Sequence, residues 1–418
     1  MWSAVVVPTP RPGRLATLSL AFLLAACGGG GGGSESPQAA SPPAPAPAPV
    51  PAPPPAPTPP PAPTATVQTL DTGAATLAMP ANTQQGVAIA DVPVTLHAED
   101  GTLYATRWAG GGPAGQALAS AVDNATLAAR GNRLLAVYVQ TAPQRRLMAR
   151  QSSDGGQTWD TAQAIGDAPD GPALPTACLF QQAGQWRQLV VWSAQPSVSQ
   201  GPLMVARHDG SDWLPAVADA GLQTAGAALA CADDQMPELV WRDHRDGSSG
   251  DLPALFQAGI DMDTGEVRAA RHLVQPGRDG AHCRSDSRRF VGWHTASGSA
   301  HLAWSDDGWL SQTLVDLDSG ATGSQLDASA RYVAVACAGD TVAVAWGDWP
   351  SAGEAQAETG TRQLALRISR DRGLTWQAVQ PAGSDTGQGT ATLAVRDGQV
   401  AIAWRTTGAV KLGIVDAP

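Results

Sequence analysis

Arg242, Asp243, His244, Arg245 and Asp246 place five ionisable groups in a row, directly after the apolar phrase ELVW. His294, Asp348, Trp349 and Arg405 follow similar apolar phrases further along the chain. Arginine forks match the two oxygens of a carboxylate, and an indole face is a platform for a sugar ring. The chemistry these residues could do is therefore recognition of an acidic or saccharide ligand; a rim of mutually paired, solvated charges is the plainer reading. A second pattern is more regular. SSDGGQTW at 152–159 and SRDRGLTW at 369–376 both read Ser-x-Asp-x-Gly-x-Thr-Trp. Asp154 and Asp371 can accept backbone N–H groups of their own turn. Gly156 and Gly373 can take positive φ. Ser152, Ser369, Thr158 and Thr375 supply hydroxyls, and Trp159 and Trp376 supply plugs for a core. Every residue has a role in holding a turn, so the strings read as structure rather than catalysis.

The elements that position these residues repeat. LLAVY, LVVW, ELVW, FVGW, VAVAW and VAIAW end at Tyr138, Trp192, Trp241, Trp293, Trp346 and Trp404, spaced 49 to 58 residues apart. Each is preceded by another apolar stretch and a turn. ATLAARGNRLLAVY and ATLAVRDGQVAIAW show the pattern, with Gly-Asn or Asp-Gly between the strands. A polar variable loop and a third strand follow. Four antiparallel strands per repeat of about 50 residues are a β-propeller blade. Six aromatic phrases predict six blades, an all-β fold. The last repeat stops after three strands. The hairpin VPVTLHAEDGTLYATRW is expected to complete it and close the ring, which removes an exposed edge.

With two matching strings on this repeat, the chain resembles the sialidase and BNR-repeat propellers, whose Asp box has this spacing, over about residues 86–417. RHDGSDW, DMDTGEV and SDDGW are worn copies of the box. The resemblance implies that ligands bind over the axis, at the face opposite the Asp boxes, where the loops between second and third strands stand. It places Arg242, Asp243, His244, Arg245, His294, Asp348, Trp349 and Arg405 there. An active sialidase would also need converging arginines, a tyrosine nucleophile backed by a glutamate, and an aspartate. The nearest candidates are Tyr332, Glu238, Arg242, Arg284 and Arg405, but the family's early Arg-Ile-Pro-type motif is missing. The reading is a glycan- or protein-binding module; the alternative is a divergent exo-sialidase-like hydrolase.

Cys178, Cys231, Cys283 and Cys337 recur at 52–54 residues, on equivalent first strands. Cys178–Cys231 with Cys283–Cys337 is the expected disulfide pairing, and free buried thiols are the alternative. Neither Cys-x-x-Cys spacing nor histidine partners accompany them, and DMDTGE lacks the later acidic ligands of a calcium loop, so no metal or cofactor is expected.

Residues 1–26 combine Arg11, Arg14 and an apolar run too short to span a membrane, and read as a secretory signal. Leu24-Ala25-Ala26-Cys27 resembles a lipobox, which implies lipidation of Cys27 and, with Gly28 following, the outer membrane. Residues 27–66 form a Gly/Pro/Ala-rich stalk, whose Pro37–Pro63 tract could reach roughly 80 Å as polyproline helix. The propeller takes 67–418 and is expected to be monomeric, with the membrane touched only through the anchor. The formal charge is −11, and 25 of the 26 basic residues are Arg, with no basic run; nucleic acid is excluded as a partner.

Overall fold

The computed structural model describes residues 65–71, 86–168, 174–193, 202–219, 225–243, 254–274, 277–295, 299–317, 328–348, 363–379, 391–406 and 409–416. All belong to one compact unit spanning 60–418. The signal region, Cys27 and the stalk up to residue 64 lie outside the described residues.

The fold is a seven-bladed all-β propeller, which corrects the expectation of six blades. Blades 1 to 6 span 87–119, 122–167, 176–219, 225–274, 278–315 and 328–379. Blade 7 spans 391–415 and takes its outermost strand from the N-terminal side, Thr66–Asp71. The hairpin expected to close the last blade is instead the middle of a blade of its own: Pro93–Glu99 and Thr102–Ala109 pair with each other, flanked by Val87–Ile89 and Gly112–Ala119. It escaped the count because its second strand reads PVTLHAE and ends without an aromatic. Its indole, Trp108, lies on the third strand, packed against Ala401, Ala403 and Leu412 of blade 7.

Closure is a six-residue antiparallel ladder from Thr66↔Ile414 to Asp71↔Ala409. Ala65 is buried in the blade 7 core, and Val67 and Leu70 pack against the clusters on its two sides. Thr66 therefore enters the ring beside the end of the last strand, Ala409–Val415. That end carries the turns between first and second strands and between third and fourth strands; the loops between second and third strands stand at the other end.

The strands follow from their composition. Second strands such as Leu134–Val139 are buried at consecutive positions, because both faces of a blade are covered by neighbours. The clusters that result join blades pairwise: Leu135, Val137 and Val139 meet Leu179, Val190 and Trp192, while Leu189 and Val191 meet Leu239 and Trp241.

The Ser-x-Asp-x-Gly-x-Thr-Trp turns are closed by their own side chains. Asp154 Oδ1 accepts the Thr158 N–H at 2.9 Å and the Ser152 hydroxyl at 2.8 Å, while Oδ2 accepts the Thr158 hydroxyl at 2.6 Å. The Ser152 hydroxyl oxygen accepts the Gly156 N–H at 2.8 Å. Ser369, Asp371, Gly373 and Thr375 repeat each bond at 2.5–2.8 Å. Ser305, Asp307 and Ser311 do the same in blade 5. These bonds, led by Thr158, hold the Asp154 carboxyl down at about 2. Gly373 has φ +84°, and a Cβ there would fall 2.7 Å from the Phe290 ring, so the turn admits only glycine. Trp376 is buried in the core between blades 5 and 6.

The excess of arginine has a structural reason. At each of the seven junctions an arginine reaches the next blade. Arg107 donates to the Gly155 carbonyl at 3.0 Å. Arg133 lies 4.8 Å over the Trp186 ring. Arg207 donates to Met262 at 2.7 Å, Arg271 to Gly308 at 3.2 Å and Arg288 to Arg372 at 2.7 Å. Arg370 donates to Asp416 at 3.1 Å, and Arg396 closes the circle onto Ile89 at 3.3 Å. A planar guanidinium can bond a carbonyl and stack on an indole; an ammonium group cannot do both.

Candidate functional site

Of the predicted ligand residues, Arg242, Asp243, His294, Asp348 and Arg405 have their backbone at one end of blades 4 to 7. Arg242 and Asp243 close the second strand of blade 4, Glu238–Asp243, with Arg242 half-buried and Asp243 fully buried. The Trp241 indole N–H donates to Asp243 Oδ2 at 3.2 Å. His294 ends Arg288–His294 in blade 5 and is buried. Asp348 ends Thr341–Asp348 in blade 6, and Arg405 is next to last in Gln399–Thr406 of blade 7. His244, Arg245 and Trp349, and the side chains of Asp348 and Arg405, lie outside the described residues. The backbone thus brings the starting points of this set to one end of four consecutive blades.

The same end carries a feature that sequence patterns did not reveal. First strands are irregular there in four blades. Pairing slips between Val122 and Ala125, between Ala225 and Ala227, between Arg278 and Ala281, and between Arg331 and Val333. The residues expelled from register are Asp123 with Asn124, Gly226, Asp279 with Gly280, and Tyr332. Bulges re-aim side chains and recur next to binding sites. Asp123 pairs with Arg145 at 2.6 Å across the loop of blade 2. Asn124 is 1% exposed, and neither amide atom finds a hydrogen-bond partner. Nothing in the sequence marks these positions, since a bulge is a property of two strands' register.

The residues proposed for catalysis do not form one group. Glu238 and Arg284 do meet, at the opposite end of blade 4: Arg284 Nη1 lies 2.8 Å from Glu238 Oε1. Arg289, which sequence reasoning missed, grips the same carboxylate with Nε at 2.8 Å from both oxygens and Nη2 at 2.7 Å. Glu238 is three residues before Trp241, whereas Tyr332 lies level with Gly347 and Trp346, near the far end of blade 6. Three residues of strand are ~10 Å. The tyrosine and the glutamate are thus separated along the strands as well as by two blades, and Arg242 and Arg405 share the tyrosine's end.

Glu238 is part of a chain of inner fasteners. Cys178–Cys231 joins blade 3 to blade 4, and Cys283–Cys337 joins blade 5 to blade 6, with Cα atoms 6.1 and 5.8 Å apart. Glu238, with Arg284 and Arg289, ties blade 4 to blade 5 between them. His282 is enclosed beside it, its Nε2 3.8 Å from Glu238 Oε2 and neither ring nitrogen hydrogen-bonded. Burial holds the His282 imidazole down at about 4, and burial does the same to His97 in blade 1. Both are neutral in the native state and take a proton in the unfolded chain below about 6.5. Stability is therefore expected to be full above that pH and to fall as pH drops toward 4, by up to ~1.4 kcal/mol per unit for each histidine. Chemical unfolding across this range checks it: His282→Gln should flatten the slope, and an unchanged slope would refute the assignment.

Among the described residues no cluster of His, Cys, Asp or Glu is arranged to hold a metal. Asp261, which opens the calcium-like string, is bonded instead to Arg268 and to the N–H groups of Asp263 and Thr264.

Site and fold together define a seven-bladed propeller with a regular, side-chain-locked end and an irregular, polar end. No protein-family model matches the chain, and no curated protein matches it. Among solved structures, the fucose-binding lectin of Aleuria aurantia, a six-bladed β-propeller, aligns at 13% identity over 68% of this chain and 88% of that one, with a TM-score of 0.45. A Trypanosoma rangeli sialidase bound to sialic acid aligns at 10% identity over 84% of this chain and 58% of that one, also at 0.45. A thermostable family-43 glycoside hydrolase aligns at 11% identity over 62% and 92%, at 0.38. Likeness at this level says nothing of what this chain binds.

Proposed function

We propose that the protein is a ligand-binding module of the bacterial cell envelope, lipid-anchored through Cys27, that takes a glycan or protein ligand at the end of the propeller opposite the locked turns. The observation that carries this reading is the shared irregularity of four first strands at the end where Arg242, Asp243, His294, Asp348 and Arg405 begin their loops. A rigid ring with variable polar loops at one end suits recognition. Thr66 stands at the other end, beside Ile414. The hydrolase alternative is not favoured, because Glu238 is committed to Arg284 and Arg289 rather than to a tyrosine.

The test is a glycan array, paired with capture of surface proteins on the purified full chain. Arg242→Ala and Trp349→Ala are each expected to weaken binding by roughly tenfold or more, as loss of a charge-assisted fork or a stacking face does. Tyr332→Phe should leave binding intact. Turnover of a fluorogenic sialoside that disappears in Tyr332→Phe would replace the binding reading with the hydrolase one.

A further inference from the structure

The axis holds a cavity of about 510 Å³, walled by the first strands of all seven blades. That is within the range of small-molecule sites, roughly 300–1,000 Å³. Around the cavity the first strands pair with their own second strands on the outer side, and only the start of the blade 6 strand also pairs with blade 5, at Ser329 and Ala328, so the inner edges turn backbone N–H and C=O groups toward the cavity. These groups suit a hydroxylated guest.

The charged side chains that line the cavity are Arg130, Arg284, Arg396 and Asp397. The three arginines lie at the ends of the first strands of blades 2, 5 and 7, nearly evenly around a seven-membered ring. They stand at the mouth beside the locked turns, away from the loop end. Asp397 is 89% exposed and faces bulk water. Each guanidinium is braced. Arg130 Nη2 pairs with Asp233 at 2.5 Å, and Arg284 uses Nε on the Asp286 carbonyl and Nη1 on Glu238. Arg396 uses Nη1 on the Ile89 carbonyl and on Asn132, and Nε on Asp397. Bracing orients the forks while using only part of their five donors. Glu238 faces two arginines, so its cluster carries more positive than negative charge. In a chain of net charge −11, an arginine-lined mouth is the exception.

We infer that this mouth of the central channel binds a small polyhydroxylated anion, its carboxylate among the three guanidinium groups and its hydroxyls on the strand edges. The site is separate from the loop end and does not depend on what binds there.

Gluconate is the probe and sorbitol its uncharged control, titrated calorimetrically into the full chain at fixed ionic strength. Saturable gluconate binding is expected, with sorbitol much weaker. Arg130→Gln and Arg396→Gln should each reduce affinity by roughly tenfold. Both side chains are partly exposed at the rim, and unfolding curves verify that the variants fold. Ala338→Glu, which adds a negative charge at the cavity wall without removing a bond of the ring, should also abolish binding. Absence of saturable binding, equal affinity for sorbitol, or gluconate binding unchanged in the Arg130→Gln/Arg396→Gln double variant would overturn the site. Ligand capture at the loop end should be unaffected by all three substitutions, so the two readings fail separately.

Discussion

Replacing Glu238 by Gln is expected to destabilise the propeller by about 3–5 kcal/mol, the cost of leaving a buried charge without its partner. The substitution preserves shape and removes one negative charge. It leaves Arg284 and Arg289, whose side chains are 12% and 15% exposed, facing each other across a neutral amide. Burial already disfavours the charged form of Arg284, and Glu238 is what offsets it. A control shows the contrast. Arg288 and Asp306 are also paired, at 2.5 Å, but Asp306 is 45% exposed. Asp306→Asn should cost about 1 kcal/mol or less, because water screens the pair. Urea unfolding of the two variants measures the difference. A Glu238→Gln loss no larger than that of Asp306→Asn would show that the cluster does not hold blades 4 and 5 together.

The second large effect concerns closure. A chain that starts at residue 72 should lose stability on the order of 5 kcal/mol, from a six-residue ladder and the buried contacts of Ala65, Val67 and Leu70. It should also aggregate, because the strand Ala409–Val415 becomes an unpaired edge. A chain that starts at residue 64 keeps the strand and should unfold like the full protein. A synthetic peptide spanning 65–71 should restore the shorter chain in a concentration-dependent way, since association then substitutes for connectivity. Equal unfolding midpoints for the two truncated chains would disprove closure by this strand.

Much of the architecture was legible because its signals are local. The turn around Asp154 is completed within eight residues, so its bonds can be read from type and spacing. The blade period shows wherever a second strand ends in an aromatic, and the cysteine period places Cys178, Cys283 and Cys337 on first strands, with Cys231 one residue past the end of its own. Blade number was not legible. Blade 1 has Ala98 and Glu99 where the other second strands end near Tyr or Trp, and the strand that completes blade 7 lies more than 300 residues from its partner. No local pattern reports a pairing over that distance. The loop-end residues could be grouped from sequence because each stands close after a core aromatic. Their context, the four slipped registers, exists only once two strands are aligned.

Sequence alone therefore determined the repeating unit, its locked turns and the end of the ring at which the polar loops begin. Tertiary structure decided how many units close the circle, which charges face each other and what lines the axis. Glu238 meets arginines 46 and 51 residues away, and the cavity arginines come from three separate blades. The division has one physical cause. Hydrogen bonds within a turn and alternation along a strand are set by neighbours in the chain, whereas charge pairing and ring closure are set by neighbours in space.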